Sequence, residues 1–100
     1  MSALQRLVAG TARFPLGRVV ATPGALAVLE KTGTSVARLL ARHQSGDWGE
    51  LSVEDVRENE ASLVHGWRLL SAYPLSNREK VWIITEADRS ITTLLLPEEY

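Results

Sequence analysis

The stretch "WRLLSAYPLSNREKVWIITEADRSITTLLL", residues 67–96, decides the fold of this chain. Up to Gly66 the apolar residues recur at helical spacing, and after it they alternate, the signature of strands. "WRLLSAY" sets Trp67, Leu69, Ser71 and Tyr73 on one face against Arg68, Leu70 and Ala72 on the other, and "KVWIITE" sets Val81, Ile83 and Thr85 together. "PLSNRE" and "ADRS" supply the turns, and "ITTLLL" returns. Three strands joined by short loops predict an antiparallel meander.

Working outward, "SVEDVRENEASLVHG" (52–66) predicts a helix: Ser52 with Asp55 approximates a capping box, and Glu54 and Asp55 suit the positive end of the helix dipole. Its inner stripe is read as Val53, Val56, Glu60, Leu63 and Val64. "TSVARLLARHQSG" (34–46) predicts another helix, with Thr34 as cap, an inner row of Val36, Leu39, Leu40 and His43, and Gly46 as stop. "TPGALAVLEKTG" (22–33) predicts a third, capped by Thr22, with Pro23 in its first turn, Leu26 and Leu29 facing in, and Gly33 closing it. The β-branched run "RVVAT" before it reads as a short strand. Pro15 and Gly17 break any helix further upstream, so residues 1–16 are expected to be a mobile lead and 17–100 a single α+β domain. In that domain a short strand and three helices precede the meander, and the helices pack on one of its faces.

Composition narrows the function. One hundred residues make one domain. The longest apolar runs, such as Val81–Ile84, fall far short of the roughly 20 residues of a membrane span, so no membrane association is expected. There is no cysteine, which removes disulfides, zinc–thiolate sites and thiol catalysis and fits a cytoplasmic protein. Arg6 and Arg13, with no acid before Glu30, give the first residues a superficial likeness to an organellar presequence; the reading adopted is a short basic lead. Residues 1–46 hold six basic residues and one acid, residues 47–100 five and eleven. With no overall basic excess, nucleic-acid binding requires Arg13, Arg18, Lys31, Arg38 and Arg42 to share a face.

Diagnostic catalytic motifs are missing. His43 and His65 are not at metal-ligand spacing, no serine lies in a nucleophile elbow and no glycine-rich loop cradles phosphate. No metal and no cofactor are expected. Arg89, Trp82, Trp67 and Tyr73 are the candidate binding residues, the aromatics as stacking surfaces. The one combination with catalytic residue types is His65, Arg68, Glu86, Arg89, Thr92 and Tyr100: a base, an acid and a cation are what metal-free RNA cleavage needs. Against this, Glu86, Asp88 and Arg89 also read as a self-satisfied polar turn, with Asp88 bonding nearby amides.

Helices ahead of a meander resemble the layout of small barnase-like and RelE-like ribonuclease toxins. A wider resemblance covers about Arg18 to Tyr100. Through "ATPGAL" (21–26), "GDWGE" (46–50) and "WIITEADRSITTLLLPEEY" (82–100), the chain resembles small uncharacterised bacterial proteins carried by plasmids and integrative elements. That resemblance implies a cytosolic accessory protein of mobile DNA and brings no activity with it. The function expected is a non-enzymatic interaction or regulatory module acting through a protein partner, with the ribonuclease as its alternative.

Overall fold

The computed structural model describes residues 12–100. Strand β1 (Arg18–Ala21) leads into helices α1 (Pro23–Lys31), α2 (Val36–Ser45) and α3 (Val53–His65), followed by β2 (Leu69–Pro74), β3 (Lys80–Thr85), β4 (Ile91–Leu95) and a 3-10 turn (Pro97–Glu99). This is the expected α+β class. The meander forms with Tyr73 opposite Val81 and Thr85 opposite Thr92. β1, expected as a separate element, joins the sheet parallel to β4, giving the order β1-β4-β3-β2.

Caps fix where the helices begin. Thr22 Oγ1 accepts from the Ala25 N–H at 3.0 Å, and Ser52 Oγ from the Asp55 N–H at 3.1 Å. The cap of α2 is Ser35 rather than Thr34, whose hydroxyl bonds Thr32 instead. Gly46 and Gly66 end α2 and α3 in the left-handed conformation (φ 89° and 76°), which a side chain would strain.

All three helices pack on the sheet face that carries Leu69, Tyr73, Val81, Ile83 and Leu94. Ala25 and Leu29 of α1 and Leu39 of α2 fill the core with them, while Val56 and Leu63 of α3 adjoin Leu69, Trp48 and Phe14. Two inward faces differ from expectation. In α1 Ala25 is buried and Leu26 exposed, and in α3 Val53 and Val64 are exposed while Asn59 and Ser62 are buried. Asn59 explains the second case, because α3 faces the main chain of β2 there: its Nδ2 donates to Leu70 O at 2.6 Å, and its Oδ1 accepts from Leu70 N at 3.1 Å.

The lead segment also needs correcting. Phe14 is buried against His43 and Trp48, the Arg13 N–H donates to Gln44 O, and the Arg13 guanidinium forks onto Glu60 at 2.8 and 3.0 Å. Residues 12–16 therefore belong to the folded body, since an aromatic ring of that size is drawn into the core. The rest of the expected mobile lead, residues 1–11, lies outside the described residues. No helix among the described residues is long and apolar enough to cross a membrane.

Candidate functional site, the open face of the sheet

Alternation along the meander sends Leu70, Ala72, Trp82, Ile84, Thr93 and Leu95 to the face that the helices do not cover. The chain end returns over part of that face. Glu99 Oε1 accepts from Leu96 N at 2.8 Å and from Thr22 Oγ1 at 2.6 Å, tying the tail to the start of α1. Those two bonds hold the Glu99 carboxyl below its ordinary range. Tyr100 is thereby laid edge-on against Trp82, with ring centroids 5.6 Å apart.

At one end of this face Arg68 bridges the tail and the sheet. It donates to Glu86 Oε1 at 3.1 and 3.3 Å and to the Tyr100 hydroxyl at 2.9 Å. Glu86 raises the Arg68 pKa, so the guanidinium stays charged. At the other end Lys80 pairs with Glu50 at 2.8 Å. A cavity of about 240 Å³ lies among Arg68, Leu70, Trp82, Ile84 and Tyr100, and one of about 450 Å³ continues past Leu70 and Trp82 toward Lys80, Glu50 and Pro97. The shared residues make it one groove with an apolar floor and ion pairs at both ends.

Of the six catalytic candidates, the structure gathers Arg68, Glu86 and Tyr100. His65 is exposed at the end of α3, stacked on Trp67 at 4.7 Å, and hydrogen-bonds to none of those three. Thr92 is buried on the helix side. Arg89 turns toward the helices: its guanidinium donates to Trp67 O at 2.6 Å, Ser62 O at 3.0 Å and Glu86 O at 3.1 Å, and it lies 5.8 Å from the Phe14 ring centre. His65, Thr92 and Arg89 therefore stand apart from the Arg68–Glu86–Tyr100 cluster, and the six do not converge on one face. Within the turn, Asp88 accepts from the Ser90 N–H and hydroxyl, so its polar groups are met locally.

The binding candidates disperse as well. Trp82 borders the groove. Trp67 precedes β2 and is exposed elsewhere, Arg89 is occupied by carbonyls, and Tyr73 is buried with its hydroxyl donating to Asp47 O at 2.6 Å. Burial pushes the Tyr73 phenol up to about 12.

A second polar cluster is enclosed. His43 has no exposed surface; its Nδ1 bonds Ser71 Oγ, and its Nε2 lies 2.9 Å from Thr85 Oγ1. Thr85 Oγ1 is 2.8 Å from Thr92 Oγ1, which donates to Leu16 O at 2.7 Å. Direction follows link by link. Thr92 has given its proton to a carbonyl, so it accepts from Thr85, and Thr85 accepts from His43 Nε2–H. Nδ1 is then the acceptor for Ser71, and the ring is neutral. Burial, with Arg89 nearby, pushes His43 down to about 4.

Leu70, Ile84, Leu95, Lys80 and Glu50 were not among the sequence candidates. For Leu70, Ile84 and Leu95 the signal was the apolar character of both faces of the meander, since a sheet covered on one side only commonly carries polar residues on the other; Lys80 and Glu50 gave none. Among the described residues, no group of three or more His, Asp or Glu side chains gathers at metal-binding range. No family model, curated protein or solved structure matches the chain, so the functional argument rests on these residues.

Proposed function

We propose that the protein is a non-enzymatic interaction module whose protein partner inserts apolar side chains into the groove of the open sheet face. The observation that carries this reading is an apolar floor of half-buried Leu70 and Trp82, with Ile84 buried between them, on a face where no α-helix packs and only the tail returns. Burying such surface is worth about 25 cal/mol per Å², and the Arg68–Glu86 and Lys80–Glu50 pairs at the ends give orientation more than affinity. The setting, a bacterial cytoplasmic accessory protein of mobile DNA with a regulatory role, rests on the sequence resemblance. Nucleic acid is the weaker partner class: of the five basic residues it would draw on, Arg13 and Arg42 are engaged by Glu60 and Asp47.

Capture from nuclease-treated host lysate tests the reading with three baits: wild type, Leu70→Glu in the groove and Val64→Glu on the exposed flank of α3. A partner held by wild type and Val64→Glu but lost with Leu70→Glu is the expected result. A partner indifferent to Leu70→Glu would overturn it.

The clustering of Arg68, Glu86 and Tyr100 favours one second reading, the small metal-independent ribonuclease. Induced expression of wild type and Arg68→Ala discriminates the two. The module reading expects no RNA loss with either, whereas RNA loss abolished by Arg68→Ala would replace it.

A further inference from the structure

The two edges of the sheet are treated differently. Along β2 the outward groups of Leu70 and Ala72 are met: Leu70 N–H and C=O by the Asn59 side chain, Ala72 N–H by Trp48 O at 3.0 Å and Ala72 C=O by Glu50 N at 2.7 Å, while Pro74 has no N–H to present. Such covering is how proteins prevent edge-to-edge association. Along β1 the Arg18 and Thr22 N–H groups bond Ser90 O and Leu94 O of the β4 side. By alternation the N–H and C=O groups of Val19 and Ala21 point outward, and no described residue bonds them.

We propose that β1 is the pairing edge for a second copy of this chain, the two strands running antiparallel about a two-fold axis at Val20. Only this register sets Val19 opposite Ala21 of the second copy, each pair exchanging both hydrogen bonds. It also juxtaposes the two Val20 side chains on the open face, where cross-strand β-branched pairs stabilise sheets. Arg18 then lies opposite Thr22 of the second copy, whose hydroxyl holds the Glu99 carboxylate at 2.6 Å. Among the described residues Arg18 forms no ion pair, and in the dimer it meets that carboxylate twice, once on each side of the axis. An isologous contact of this kind closes on itself and stops at two copies. It is far smaller than the roughly 1,200 Å² that stable complexes bury, so the dimer depends on concentration. This inference is independent of the groove, which β1 does not line.

Sedimentation velocity from micromolar to millimolar protein tests it, together with amide exchange residue by residue. The expected result is a monomer–dimer equilibrium in which Val19 and Ala21 amides gain protection with concentration while Val20, bonded within the chain, is protected throughout. Val19→Pro removes one outward donor and no bond to β4, and it is expected to shift the dissociation constant at least tenfold. A wild type that stays monomeric throughout, or a dimer that forms without added protection at Val19 and Ala21, would overturn the proposal. The exchange measurement stands on wild type alone if Val19→Pro fails to fold.

Discussion

Both ring nitrogens of His43 are bonded, Nδ1 to Ser71 and Nε2 to Thr85, but the ring is buried and near the Arg89 guanidinium, so a second proton is disfavoured. The unfolded chain takes up that proton near pH 6.5 and the folded one only near 4. A base whose pKa is depressed by folding contributes stability that is present above pH 6.5 and lost as pH falls from 6.5 through 4. Linkage at 1.36 kcal/mol per pH unit puts the loss at about 3 kcal/mol. Urea denaturation at several pH values is expected to show this slope in wild type and to show it flattened in His43→Gln, which is also less stable at neutral pH. Arg89 carries a different kind of commitment. It sits at φ 61°, a conformation costly for a side-chain residue, and is held there by three carbonyls. Arg89→Ala is expected to cost about 2–3 kcal/mol, and Arg89→Lys to recover little because an ammonium lacks the planar fork. Chemical denaturation of both variants is the check.

For the elements, the side of β2 facing away from β3 shows what a polar residue inside a helix face can do. Asn59 replaces a strand: it satisfies both outward groups of Leu70 where a further strand would otherwise pair. Asn59→Ala is expected to cost about 2 kcal/mol and to raise concentration-dependent light scattering, because the edge is then open. The same residue explains where sequence reading stopped. Alternation and turn residues made the meander legible, and caps with glycine stops made the three helices legible, because these signals are local. The inner stripe of α3 was misread because apolar periodicity assumes an apolar neighbour, whereas this helix meets backbone. Phe14 and the parallel pairing of β1 escaped because their partners are distant in sequence, His43 and Trp48 for the ring and Ile91–Leu94 for the strand. The candidate site was half legible. Arg68, Glu86, Trp82 and Tyr100 stood out by residue type, but the apolar floor looked like ordinary core until the sheet had a side without helices.

Across the whole molecule, the sequence-level division into a basic first half and an acidic second half is partly cancelled by folding. Arg13 reaches Glu60, and Arg42 reaches Asp47. What remains asymmetric is covering, with three helices on one face and only the tail on the other. Removing residues 97–100 takes away the Glu99 tie and the Tyr100 ring together, so acrylamide quenching of tryptophan fluorescence is expected to rise. Trp82 accounts for the change, since Trp67 is already exposed and Trp48 is buried in the helix-side core. Unchanged quenching would mean that the tail does not shield the groove in solution.

The pairing of Arg18 with Ile91 also sets an order of events during synthesis. Among the described strands β1 waits for β4, and the helices between them emerge before there is any sheet for Ala25, Leu29 and Leu39 to cover. Long-range strand pairing of this kind closes slowly, so the nascent chain carries exposed helical faces until β4 has left the ribosome. Folding of this domain thus waits for β4, and the interval before β4 arrives is when it is most open to chaperones and proteases.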